Sequence, residues 1–294
     1  MKKARFPGFY RLPITERLRQ IYDQGWLNER DLNSLSNGEH ILPTDRADKM
    51  IENVVGVMGL PMGLGLNFRV NQKDYLVPLV VEEPSIVAAL SAAAKTFLTS
   101  GGIHATADES LLIGQIQIVN PPDPEQARNQ ILFHRDELLA KVNKLHPSMV
   151  QRGGGAKDIE VRIFDHTDQT PLMVVVHLLV DTCDAMGANL INTMCEEIAP
   201  DVEALTGGRV FLRILSNLTD RSVVRANVAI PTKQLEGKGY AGEEVRDGII
   251  LASQFAAVDP YRAATHNKGI MNGVDAVAIA TGNDFRAIEA GAHA

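Results

Sequence analysis

Leu111-Leu-Ile-Gly-Gln-Ile-Gln-Ile-Val119 is where the texture of the chain changes: it reads as a strand, and strands and helices alternate after it. Pro124 to Leu145 reads as helix, and Gly153-Gly-Gly155 as a turn into a strand over Asp158 to Phe164. Leu172 to Val180 is the next strand, followed by a helix over Ala185 to Ile198 and a strand over Val210 to Leu215. A βαββαβ order suits a compact α+β sandwich with antiparallel pairing. Residues 110–219 are therefore expected to form a small domain inserted into a larger one, whose parts are residues 1–109 and 220–294.

Outward from that insert, Leu18 to Trp26 and Asp31 to Leu35 carry apolar residues at helical spacing, and Ile51 to Leu66 is apolar and rich in glycine. Alternation over Asn67 to Val81 predicts a hairpin with its turn near Gln72 to Asp74. Pro84 suits a first helical position, so Ser85 to Leu98 is expected as an Ala-rich helix closed by Gly101-Gly102. Strand and helix return around Val223 to Ile230 and Glu243 to Ala256.

At 294 residues, 45% apolar and 22% charged, the chain has ordinary globular composition and can bury a substantial core. Its net charge of -7 argues against a nucleic-acid partner, which would need a concentrated basic face. Cys183 and Cys195 share no metal-type spacing with the eight histidines, so no metal is expected and both read as reduced cytoplasmic thiols. Met1-Lys-Lys-Ala-Arg-Phe-Pro-Gly8 has no apolar segment of the kind a secretion signal needs, and the longest apolar runs are strand-sized. No membrane partner is expected.

Asp259-Pro-Tyr-Arg-Ala-Ala-Thr-His-Asn-Lys-Gly-Ile-Met-Asn-Gly273 and Ala280-Thr-Gly-Asn-Asp-Phe-Arg286 carry the chemistry. They place a cation, Lys268, and a carboxylate, Asp284, at the ends of two short elements, beside small residues that let a ligand approach the backbone. A second acidic motif, Val81-Glu-Glu-Pro-Ser85, lies far upstream. Gly59 to Gly65 does not give the dinucleotide fingerprint, and a strand follows it where a helix should. Asp184-Ala-Met-Gly-Ala-Asn189 looks like the opening of an amphipathic helix with a glycine in its first turn, where free N–H groups suit an anion.

Taken in register, Glu52-Asn-Val-Val-Gly56, Pro78 to Ala88, Asp184 to Asn189, Asp259 to Gly273 and Thr281-Gly-Asn-Asp-Phe-Arg286 resemble 3-hydroxy-3-methylglutaryl-coenzyme A (HMG-CoA) reductase, most closely its soluble bacterial class II branch. The resemblance runs from about residue 5 to the last residue. It implies an α+β fold: a large mixed substrate-binding and dimerisation domain with an inserted ferredoxin-like small domain. The implied reaction is reduction of HMG-CoA to mevalonate and coenzyme A by two hydrides from NADH or NADPH, or the reverse oxidation.

Each hydride addition creates an oxyanion, which calls for a fixed cation and a proton donor. The resemblance gives those roles to Lys268 and Glu83, with Asp284 paired to Lys268. It gives the substrate carboxylate to Arg262 and Ser85, and its hydroxyl and carbonyl groups to Thr265 and Asn272. Asp184, Met186, Gly187, Asn189 and Asn217 would face the nicotinamide cofactor.

His146, seven residues ahead of Gly153, stands where NADH-preferring relatives carry an acidic residue, with Lys141 and Lys144 close in sequence. Loss of that carboxylate removes a repulsion against a 2′-phosphate, which brings NADPH level with NADH. A homodimer or higher oligomer with its active site at the interface is implied as well. The family continues well past Ala294 into a flap that carries a catalytic histidine, and neither His266 nor His293 sits in that motif. The sequence is thus expected to be a fragment or a truncated product; the alternative to a reductase is a non-catalytic remnant that only dimerises or binds ligand.

Overall fold

The computed structural model describes residues 3–39, 41–167 and 170–294; Met1 and Lys2, the first residues of the amino-terminal run read above, lie outside them. Two compact units result. One holds the described residues up to Ala105 with Ala226–Asn283, the other Thr106–Arg225 with Asp284–Ala294. The mixture of helix and strand is of the α+β class.

In the first unit α1 (Ile14–Asp23) packs on α2 (Glu29–Asn37), whose start is closed by the reciprocal Asn28 and Asp31 capping box. The short α3 (Thr44–Ala47) precedes the hairpin of β1 (Met62–Val70) and β2 (Lys73–Val80). Its turn is Asn71-Gln72, with φ of 48° and 67°, earlier than the expected Gln72 to Asp74. Two left-handed central residues match the twist of a two-residue hairpin. Asn71 also bonds Ala105 through both side-chain amide groups, which fixes the turn at that residue.

The helix α4 (Ile86–Leu98) lies on β1, where a Cβ on Gly63 would come within 3.2 Å of Val87 and Leu66 N donates to Ser91 Oγ at 3.0 Å. It begins at Ile86 rather than Ser85. Ser85 is the N-cap in a left-handed conformation, φ 74°, so Pro84 falls in the preceding turn and not at the first helical position.

Next come β3 (His104–Ala107), β4 (Leu111–Val119), α5 (Pro124–Phe133), α6 (Arg135–Asn143), α7 (Pro147–Gln151), β5 (Gly155–Phe164), β6 (Met173–Asp181), α8 (Ala188–Thr206), β7 (Arg209–Ser216) and β8 (Val224–Asn227). The sheet order β5-β6-β4-β7, antiparallel at every step, is the ferredoxin-like arrangement. The helix expected over Pro124 to Leu145 is broken at His134, whose backbone N and ring Nδ1 both lie within bonding distance of Gln130 O, at 3.1 and 2.9 Å. Likewise α8 starts later and runs further than the expected Ala185 to Ile198.

The core of this unit joins Ile116, Ile118, Val176 and Leu178 of the sheet to Ile131, Val142, Met194 and Ile198 of the helices. Cys195 belongs to it, and burial pushes its thiol up to about 12, which leaves it a packing group. The chain then returns to the first unit through α9 (Gly242–Val258) and α10 (Pro260–Ala280), and ends in α11 (Phe285–His293) within the second. Among the described residues no helix is long and apolar enough to cross a membrane.

In the second unit α8 approaches β4 closely at Gly114. A Cβ there would lie 2.5 Å from Cys195 Sγ and 2.7 Å from Ile191 Cγ2. Gly114→Ala is expected to destabilise the unit by about 1–3 kcal/mol through overpacking. Urea unfolding followed by circular dichroism tests this, and an unmoved midpoint would mean that α8 yields without cost.

Candidate active site

Lys268 Nζ donates to Glu83 Oε2 within the first unit. Glu83 leaves the end of β2 in the turn that precedes α4, and α10, which carries Lys268, packs on β2. Lys268 lies in the interior of a 21-residue helix, not at the end of a short element. The Asp259 side chain caps that helix by accepting from Tyr261 N at 3.1 Å, and Pro260 fills its first turn. Gly269 and Gly273 both lie inside this helix and do not interrupt it.

On α10, Arg262, Thr265, Asn272 and Lys268 fall along one side by their helical spacing. Gly269 belongs to the same side, and a Cβ there would meet nothing within 4 Å, so the helix backbone is open to a ligand. Arg262 and Asn272 are half-buried, Thr265 and Lys268 exposed. A fixed cation, a carboxylate bonded to it, and neutral donors and acceptors on successive turns make a set suited to a carbonyl group that gains negative charge.

Ser85 adds a second feature of this unit. A left-handed serine costs of order 1–3 kcal/mol and marks positions held for a purpose. It lines a groove of about 990 Å³ together with Arg5, Arg17, Lys95 and Asn67. Those three cations were not singled out from the sequence, because they come from three separate segments.

Asp284 opens α11 in the second unit, where its Oδ1 accepts from Arg286 N at 3.1 Å and Ala287 N at 3.2 Å and pairs with Arg286 Nη2 at 3.2 Å. Asp284 is thus the N-cap of a helix. That helix lies against Asn217: a Cβ on Gly291 would be 2.6 Å from Asn217 O.

The remaining cofactor candidates gather at one end of the second unit's sheet. Gly187 is not inside the first turn of α8 but caps it, with φ 88°. A Cβ there would lie 2.6 Å from Thr182 Cγ2, so glycine is required by packing as well as by conformation. Asp184 and Met186 are exposed in the loop before the helix, and Asn189 in its first turn. Among the described residues no side chain caps α8, and no acidic residue occupies its first turn, which leaves its N–H groups and positive dipole end open to an anion.

A Cβ on Gly154 would lie 2.6 Å from Cys183 Sγ and 2.8 Å from Asp181 O, so the triple-glycine turn lies flush on the segment leading to this loop. His146 precedes that turn at the start of α7, with its Nε2 buried and bonded to nothing among the described residues. Lys141 is engaged elsewhere. Its ammonium donates to Asp201 at 2.7 Å with Glu197 at 3.4 Å, a pairing that raises its pKa and occupies its charge.

Known proteins similar to this chain fall in one family. Residues 13–294 match the family described as hydroxymethylglutaryl-coenzyme A reductase. The 3-hydroxy-3-methylglutaryl-coenzyme A reductase of Archaeoglobus fulgidus is 50% identical over 291 residues, 99% of this chain and 64% of that protein. A probable 3-hydroxy-3-methylglutaryl-coenzyme A reductase of Borreliella burgdorferi is 35% identical over 244 residues, 83% of this chain and 55% of that one. The class II enzyme of Streptococcus pneumoniae, solved bound to NADPH in open conformations, superposes with a TM-score of 0.93 at 43% identity, covering 98% of this chain and 77% of that one. The chain thus spans 64% and 55% of the length of these two curated relatives.

The Glu83 and Lys268 side chains are 40% and 59% exposed, which limits what their pairing contributes to stability. Lys268→Met and Glu83→Gln are each expected to change unfolding stability by less than about 1 kcal/mol. Thermal or urea unfolding measures it; a loss several times larger would make the pair a structural strut.

Proposed function

This chain belongs to the hydroxymethylglutaryl-coenzyme A reductase family, and from that premise we propose that its protein reduces (S)-3-hydroxy-3-methylglutaryl-CoA to mevalonate and coenzyme A, or runs the reverse oxidation. The observation that carries the reading is the Glu83–Lys268 pair, formed by two distant motifs. When bound, NADH or NADPH supplies the hydride for each of two reductions.

In this reading Lys268 holds the oxygen of the thioester carbonyl as it gains charge in the first reduction, and of the aldehyde in the second. Glu83, taken in its carboxylic-acid form for this step, delivers the proton that the alkoxide needs and is left as the carboxylate that Lys268 holds. Asp284 is assigned to the same charge set. Arg262 and Ser85 take the free carboxylate of the substrate, and Thr265 and Asn272 its hydroxyl and carbonyl groups. The groove beside Ser85, with Arg5, Arg17 and Lys95 on its walls, has the charge for the phosphate-bearing coenzyme A portion.

The cofactor is placed on the second unit, with its pyrophosphate at the uncapped start of α8 and Met186, Asn189, Asn217 and Asp184 around the nicotinamide half. His146, in place of an acidic side chain, admits a 2′-phosphate as well as a free ribose. Lys144 is exposed nearby in sequence, whereas Lys141 is committed to Asp201. A second copy of the chain is the proposed partner. Exposed Leu251, Phe255 and Val258, on one side of α9 by their helical spacing, support burial of that face against further protein, and the reaction is placed in the cytoplasm.

Mevaldehyde-dependent oxidation of NADPH and of NADH by the full protein tests the proposal, because this half-reaction needs no departing thiolate. Lys268→Ala is expected to lower kcat by about 10²–10³-fold or more. Turnover within threefold of the unsubstituted protein would overturn the role of Lys268; no turnover from a folded unsubstituted protein would leave a non-catalytic binding or dimerising chain. Asp284→Asn keeps an acceptor for the α11 cap, so it is expected to hold stability within about 0.5 kcal/mol while activity falls. Equal losses of activity in Asp284→Asn and in a matched destabilised variant would make Asp284 a cap alone.

A further inference from the structure

The strand β5 (Gly155–Phe164) is an edge of the four-stranded sheet, so one side of its backbone has no neighbouring strand. At its start that side is covered nevertheless. Asn143, the last residue of α6, donates from Nδ2 to Ala156 O at 3.0 Å and accepts at Oδ1 from Ala156 N at 2.8 Å. A side-chain amide bonded to both backbone groups of one residue takes the place of the peptide that an antiparallel partner strand would present. Contact is tight on the glycine side too. Gly155 has φ 96°, and a Cβ there would lie 2.5 Å from Asn143 Oδ1.

The clamp sets more than an edge. Ala156 directly follows the Gly153-Gly-Gly155 bend, and Gly154 lies flush on Asp181 and Cys183, from which the chain runs through Asp184 and Gly187 into α8. The position of Ala156 therefore governs that of the bend, and with it the room in front of the uncapped α8 N–H groups. From this we infer that Asn143 is a positioning residue for the nicotinamide cofactor. It holds the glycine bend clear of the α8 start and touches no reacting atom. The inference rests on the cofactor reading of this end of the unit.

In the full protein, Asn143→Ala is expected to raise the Kd for NADPH or NADH, whichever the unsubstituted protein binds, at least tenfold in a nicotinamide-fluorescence titration. The KM for that cofactor should rise in step, with kcat for mevaldehyde reduction within threefold and KM for mevaldehyde within twofold. Glu203→Ala is the control. Glu203 Oε1 accepts from Val210 N at 2.7 Å at the opposite end of the sheet, so its loss should leave cofactor Kd within twofold. Unchanged affinity in Asn143→Ala, or an equal loss in Glu203→Ala, overturns the positioning role. Should Asn143→Ala not fold, Asn143→Asp, which keeps the acceptor and loses the donor, carries the test: an intermediate Kd supports the role and an unchanged one overturns it. An unsubstituted protein that binds neither nucleotide overturns the cofactor reading instead.

Discussion

Lys268 meets Glu83 across 185 positions of sequence because α10 packs on β2, and the functional geometry of the first unit follows from that packing. Ala276 and Ala278 of this helix are buried, and Gly273 faces Leu90 of α4. The strand delivers the Glu82-Glu83 turn, and the helix delivers Lys268 from its interior, where frame and spacing are least free. The exposed ion pair does not hold these elements together. The elements hold the pair, so its geometry depends on packing several residues away from either charge.

The second unit meets a related constraint with glycine. Gly114 admits α8 onto β4, Gly208 would press a Cβ to 2.5 Å from Ile118, and Gly187 turns the chain into α8 against Thr182. Each leaves room for a side chain of the neighbouring segment, and a continuous apolar core fills the remaining space. The helix so fixed has a free, undiluted positive end. An anion placed there meets groups whose own positions are set by a close-packed interior.

Much of this was legible in the sequence where local pattern and tertiary outcome agree. Leu111 to Val119 is the strand that its apolar residues announce, and the βαββαβ order led to the observed sheet. What failed to show was decided at long range. Asp184 to Asn189 looks like the opening of a helix, but Gly187, left-handed and against Thr182, puts the start of α8 at Ala188. Pro84 looks like a first helical residue, yet the left-handed Ser85 intervenes. Lys141 reads as a free cation until α8 brings Asp201 and Glu197 to it. At the site, the motif residues were visible singly, whereas the pairing of Glu83 with Lys268 and the cations of the groove required the fold.

The two units differ in how completely they enclose themselves. The second surrounds Ile116, Val176, Leu178 and Met194 with side chains of its own. In the first, α9 presents Ile249, Leu251, Phe255 and Val258 at 53–80% exposure, and this same helix packs on α10. Apolar area of that kind favours burial against further protein. In the proposed dimer, covering α9 would stiffen the neighbour that carries Arg262, Thr265, Lys268 and Asn272. In that dimer, assembly and the geometry of the α10 residues are linked through one helix contact.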